Sequence, residues 1–201
     1  MWLAAQGVLV DLDGTLVDST GPVRRAWTSF AARYGLDAER VEHFAHGRPS
    51  RESVRLLVPD ADHAAEAQRL EEAELTDLDG VFALPGAAAL LSASRPLAIV
   101  TSCSTALARA RLQAAGLRIP ETLVSSDDVS HGKPNPESYL LGAQRLGIEP
   151  ADCLVLEDAP AGIRAGRDAG AGVIALRTTH ADRDLRDADA IIDDLGSLGA
   201  A

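Results

Sequence analysis

Gly7-Val8-Leu9-Val10-Asp11-Leu12-Asp13-Gly14-Thr15 runs from an apolar segment straight into two carboxylates. A Val- and Leu-rich run of this kind reads as a buried parallel strand. In an open α/β sheet, ligands bind at the edge where strands end. Asp11 and Asp13, spaced i and i+2, fall at that edge. Leu12 between them keeps packing inward while both carboxylates converge on one side. Gly14 lets the chain turn away without a Cβ clash. The pair suits a carboxylate nucleophile beside a carboxyl acid/base, both close to a metal ion. Taken alone, the same residues also describe an Asp-Gly turn capping a strand. Three further segments separate the two readings.

Working outward, the pattern predicts a first strand near 7–12 and then no convincing strand until 85. Residues 17–85 read as helices over 22–32, 50–57 and 61–75, with apolar residues at helical spacing. From Pro85-Gly86 onward, helices near 87–93, 104–115, 136–147 and 160–169 alternate with strands near 97–101, 122–124, 153–157 and 172–176. A last short strand is expected at 189–192. Such alternation predicts a parallel sheet covered on both faces. The expected fold is therefore α/β, a Rossmann-like parallel sheet with an inserted small α-helical cap. Residues 1–16 and 86–201 form the core in this reading, and 17–85 the cap over the sheet edge. No internal repeat or long linker interrupts it. The acidic stretch 182–194 reads as solvated surface.

The second segment, Leu97-Ala98-Ile99-Val100-Thr101-Ser102, ends a strand in two hydroxyl residues. A Thr hydroxyl with nearby backbone N–H groups can hold a phosphoryl oxygen; a plain helix N-cap, which Ser104 could supply by itself, is the alternative. Cys103 has no evident His partner and reads as inert. The third segment is His131-Gly132-Lys133-Pro134-Asn135-Pro136-Glu137. Of 19 basic residues in the chain, Lys133 alone is lysine. A position that keeps an ammonium where all others use guanidinium points to a need for a compact charge. In isolation it also fits a solvated turn. The fourth, Leu154-Val155-Leu156-Glu157-Asp158-Ala159-Pro160-Ala161-Gly162-Ile163, ends another strand in two acids before a helix opening on Pro. Adjacent carboxylates repel unless a cation neutralises them. With Asp11 and Asp13 they would make an oxygen-rich site suited to Mg²⁺.

Composition sets the outer bounds. The chain has 201 residues and a formal net charge of −11, which argues against nucleic acid or an anionic membrane as partner. No basic side chain precedes the first apolar run, so no secretory signal is read there. No stretch of about 18 apolar residues offers a membrane span. Cys103 and Cys153 make no metal-ligand pattern, and a reduced, cytoplasmic monomer is expected.

With these four segments in order, the chain resembles the haloacid dehalogenase-like superfamily over nearly its whole length. The wording of the second to fourth segments is most similar to the small sugar-phosphate and glycerol-phosphate phosphatases. The resemblance implies a Mg²⁺-dependent phosphomonoester hydrolase acting on a small phosphorylated metabolite. It makes Asp11 the nucleophile that becomes an aspartyl-phosphate, and Asp13 the acid/base. Mg²⁺ would be held by Asp11, the Asp13 backbone carbonyl and Asp158, with Glu157 acting through water. Thr101, Lys133 and backbone N–H groups near Leu12 and Ser102 would bind phosphoryl oxygens, and Asn135 would lie on the substrate side.

Single positions weigh the relatives within that superfamily. Dehalogenases generally lack the second acid, and Asp13 is present. Phosphonate-cleaving members use a cap lysine, and 17–85 contains none. β-Phosphoglucomutases carry His where Val23 stands and a cap lysine that is absent. A non-catalytic module on the same fold is the remaining alternative, against which stand Asp11, Asp13 and Asp158. Substrate choice is expected in the cap loop His46-Gly47-Arg48-Pro49-Ser50-Arg51. There Arg48 or Arg51 would meet sugar hydroxyls or a second phosphate, and His46 would donate a hydrogen bond.

Overall fold

Six strands form one parallel sheet in the order β5-β4-β1-β6-β7-β8. They are β1 (Gly7–Val10), β4 (Leu97–Val100), β5 (Thr122–Val124), β6 (Cys153–Glu157), β7 (Gly172–Leu176) and β8 (Ala190–Ile192). The computed structural model describes residues 4–45 and 48–200. Its α/β, Rossmann-like architecture is the one expected from the strand–helix alternation. The chain enters at the centre of the sheet, builds outward through β4 to β5, then crosses to β6 and continues to β8. Val10 lies opposite Ile99 on one side and Leu156 on the other.

Alternation along each strand makes two cores. Val8, Val10, Ile99, Leu154 and Leu156 face α5 (Ala87–Ser92) and α6 (Thr105–Ala114). Leu9, Ala98, Val100 and Val155 face α7 (Glu137–Leu146) and α8 (Pro160–Asp168). Successive side chains on a strand point to opposite faces, so a continuously apolar strand requires helices on both sides. Burying each Val or Leu fully contributes roughly 1.5–3 kcal/mol.

Four helices lie between β1 and α5: α1 (Thr20–Tyr34), α2 (Ala38–Ala45), α3 (Ser50–Leu57) and α4 (His63–Thr76). They share a third core of Trp27, Phe30, Val41, Val54 and Leu70, in which the Trp27 and Phe30 rings meet edge to face at 5.3 Å. Asp62 caps α4 by accepting the Ala65 N–H at 3.1 Å.

Two details differ from the sequence expectation. Residues 17–85 do contain strand: β2 (Val17–Asp18) pairs antiparallel with β3 (Phe82–Ala83) where the chain enters and leaves the helical segment. Two residues per strand are too few for apolar alternation to register. Helix α2 was also unexpected, because only Val41 and Ala45 of its residues are buried. In the acidic stretch, a four-residue helix, α9 (Asp182–Leu185), buries Leu185 and leaves its acids outward. Among the described residues no helix is long and apolar enough to cross a membrane.

Candidate active site

β4, β1 and β6 end side by side; β4 and β1 each hand one hydroxyl or acidic residue to the same edge, and β6 hands two acids. The ladder continues one step past β1 and β4: the Asp11 N–H donates to the Leu156 carbonyl at 3.0 Å, and Thr101 N–H to the Val124 carbonyl at 2.9 Å. Asp11 and Thr101 are thereby held by sheet backbone rather than by loops, and Glu157 is the last residue of β6, opposite Ala175, with Asp158 directly after it. Asp11, Glu157 and Asp158 bring carboxylate oxygens within 4.8 Å of one another.

Lys133 reaches this cluster from the loop between β5 and α7 and is 1% exposed, which rules out the solvated turn. Its ammonium donates to Asp11 Oδ1 at 2.5 Å, to Glu157 Oε1 at 2.7 Å and to the Val100 carbonyl at 3.1 Å. Burial alone would push this ammonium down. The carboxylates of Asp11 and Glu157 outweigh that and hold it well above the usual lysine value. Burial pushes the Asp11 carboxyl well up; Lys133 opposes this, while Glu157 and Asp158 add to it. Three clustered carboxylates against one ammonium leave an excess of negative charge, and an all-oxygen donor set of this kind fits a hard divalent cation.

Glu157 is the most committed of the three acids. Its Oε1 accepts from Lys133 and from the Tyr139 hydroxyl at 3.1 Å. Its Oε2 accepts the backbone N–H groups of Asp158 and Ala159, both at 2.9 Å. Four donors fix Glu157 chiefly as the holder of Lys133. Gly162 of α8 makes room for it, since a Cβ there would lie 1.6 Å from Glu157 Oε1. Asp158 accepts from the Thr15 hydroxyl at 3.3 Å and from the Thr179 hydroxyl. Gly14, at φ +82°, passes so close that a Cβ would lie 2.2 Å from Asp158 Oδ2, so the turn after Asp13 needs glycine twice over.

Asp11 and Asp13 open onto a cavity of about 1180 Å³, walled on the sheet side also by Thr101, Ser102 and Asn135. Arg48 and Arg51, with Val23 and Trp27 of α1, line the same cavity from the helical segment. The Arg48 guanidinium lies over the Phe44 ring, 5.1 Å from its centre. Asn135 also accepts the Glu137 N–H at 3.0 Å, which fixes the start of α7. The Leu12 side chain is sealed in the core, so only its backbone is available to a ligand. His46 and Gly47 lie outside the described residues. Thr101 shares its hydroxyl with the Cys103 sulfur at 3.2 Å, and burial pushes that thiol far up, in keeping with an inert cysteine.

Asp13 has partners that the sequence did not suggest. Its Oδ1 accepts from the Ser19 hydroxyl at 2.7 Å and its Oδ2 from Arg111 Nη1 at 2.8 Å. Arg111, 2% exposed on α6, also donates through Nη2 to Glu74 of α4. Burial pushes the Glu74 carboxyl up against the pull of Arg111. Arg111 is one of two arginines within α6, and nothing in the local pattern sets it apart.

A family model of haloacid dehalogenase-like hydrolases matches residues 5–170. Hexitol phosphatase A of Escherichia coli is 48% identical over 203 residues, covering 98% of this chain and 94% of its own. The fructose-1-phosphate phosphatase of the same organism is 35% identical over 180 residues, covering 85% of this chain and 96% of its own. Among solved structures, a hydrolase from Pseudomonas syringae superposes with a TM-score of 0.87 at 28% identity, over 96% of each chain.

Proposed function

Because the chain belongs to the haloacid dehalogenase-like hydrolase family, we propose that it hydrolyses the phosphate monoester of a small sugar or polyol through an aspartyl-phosphate on Asp11. The observation that carries this reading is the sealed Lys133 ammonium on Asp11, with Asp13 facing the same cavity two residues on. The names of the relatives supply the substrate class: a hexitol phosphatase and a fructose-1-phosphate phosphatase.

In this mechanism the Asp11 oxygen not held by Lys133 attacks phosphorus as the bond to the alcohol oxygen breaks. Asp13 gives that oxygen its proton. Asp13 then takes a proton from water, whose oxygen attacks phosphorus and displaces Asp11, releasing inorganic phosphate. Thr101 and the backbone N–H groups near Leu12 and Ser102 hold phosphoryl oxygens. Lys133 opposes the upward push of burial on the Asp11 carboxyl and aims it. The residues that would hold Mg²⁺ are Asp11, Asp158 and the Asp13 backbone carbonyl, with Glu157 behind them. Bound there, the cation offsets charge on the transferring group. The segment 17–85 acts as the cap that closes the cavity over the leaving group.

EDTA is expected to abolish phosphate release and added Mg²⁺ to restore it. Asp158→Ala is expected to raise the Mg²⁺ concentration for half-maximal turnover by at least about tenfold. The same variant should lose the rise in melting temperature that Mg²⁺ gives the wild type. Full turnover by exhaustively chelated protein would contradict the reading.

A separate expectation concerns the cap wall. Every substrate shares the phosphoryl group, whereas leaving groups differ. Arg48→Ala and Arg51→Ala should therefore reorder a panel of sugar phosphates by kcat/KM and do less to p-nitrophenyl phosphate. A lost charge-assisted hydrogen bond is worth about 1.5–3 kcal/mol, enough to change the order. Equal slowing of every substrate, or no change, would remove this wall as the selector.

A further inference from the structure

We propose that Arg111 is the positioning residue of Asp13, and that Glu74 makes this positioning depend on the seating of the helical segment over the sheet. The inference rests on the acid/base role of Asp13 given above. Among the described residues each oxygen of Asp13 has one donor: Ser19 at 2.7 Å, from the start of α1, and Arg111 at 2.8 Å, from α6. The Arg111 fork spans from Asp13 in the core to Glu74 on α4. The Ser104 hydroxyl, at the start of α6, donates to Glu71, one turn before Glu74. The two donors fix the plane of the Asp13 carboxylate. Two acids of α4 fix the helix that carries the second donor.

Stability alone does not account for this arrangement. Arg111 is 2% exposed and Glu74 5%. A buried arginine between carboxylates is often no more stable than apolar side chains of the same volume. Arg111 Nε is moreover buried without a hydrogen-bond partner among the described residues, which adds a desolvation cost. What the arrangement does provide is aim. A general acid must present its proton to the leaving oxygen, and a displacement of about 1 Å costs roughly 10²-fold in rate.

The chemistry gives a readout that a packing defect does not reproduce. An alkoxide leaving group needs the proton from Asp13; p-nitrophenolate does not. Hydrolysis of the aspartyl-phosphate needs Asp13 as base whatever group has left. Misaimed Asp13 should therefore spare the first step with p-nitrophenyl phosphate and slow the second. The experiment is rapid-quench kinetics of the full chain with Mg²⁺, wild type against Arg111→Gln and Glu74→Gln, with p-nitrophenyl phosphate and with glycerol phosphate.

For Arg111→Gln the expected result is a burst of one p-nitrophenolate per enzyme. The first phase should stay within about threefold of wild type and the second should be at least about tenfold slower. Turnover of glycerol phosphate should fall at least about tenfold, with KM changed less than about threefold. Glu74→Gln should shift the two phases in the same direction, by at least about threefold. Being isosteric, it carries the test by itself if Arg111→Gln does not fold. Equal slowing of both phases, or an unchanged ratio in Glu74→Gln, overturns the role of Arg111. If acid-quenched Asp13→Asn, which lacks the base for the second step, carries no phosphate on Asp11 after reaction with p-nitrophenyl phosphate, the phosphatase mechanism itself falls, and this inference with it.

Discussion

Asp11→Asn is expected to release no measurable phosphate while keeping its fold. The amide cannot form the aspartyl-phosphate, and the loss should exceed about 10⁴-fold, or ~5.5 kcal/mol at 1.36 kcal/mol per decade. The fold should survive because Asn keeps an oxygen for the Lys133 ammonium. The substitution also takes one negative charge out of a buried site where Glu157 and Asp158 already disfavour it. The melting temperature should be unchanged or raised. The measurement is phosphate release from a sugar phosphate, paired with a thermal melt of the same preparation. Normal turnover by a folded Asn variant would end the covalent mechanism.

Lys133 should show the second large effect, and here activity and stability fall together. Lys133→Met leaves the carboxylates of Asp11 and Glu157 buried and unpaired, and breaking one side of such a pair costs about 3–5 kcal/mol. A urea titration should locate that loss in the midpoint. Lys133→Arg keeps the charge but needs a planar fork where the ammonium meets Asp11, Glu157 and the Val100 carbonyl from a buried position. We expect it to lose at least about tenfold in turnover, ~1.4 kcal/mol of transition-state stabilisation. An Arg variant near wild type in both respects would mean that a general positive charge suffices there.

The fold was legible because its information is local. Each sheet strand is a short apolar run, and most of the candidate site residues come at the end of one. Asp11, Thr101, Glu157 and Asp158 are thus named by position within a strand-and-turn pattern of a few residues. The lysine stood out by a different route, as the single exception to an arginine-only chain. What stayed hidden is non-local. Arg111 lies 98 residues from Asp13 and 37 from Glu74, and periodicity along one helix cannot report such pairings. The same holds for Tyr139, whose hydroxyl reaches Glu157 from 18 residues away. The β2–β3 ribbon escaped because two residues carry no period. The four donors on Glu157 were equally invisible, since two of them are backbone N–H groups of the turn that follows it.

One composition fact acquires a practical meaning once Lys133 is seen to be 1% exposed. The folded chain offers no side-chain amine to solvent, because its one lysine is sealed beneath the cavity floor. An acylating reagent can reach that amine only when the surrounding structure opens, and native-state opening is governed by local stability. The rate of Lys133 acylation is then a clock for opening of the site itself, read by mass spectrometry at one residue with no competing lysine. A ligand that tightens the site should slow that clock in proportion to its occupancy.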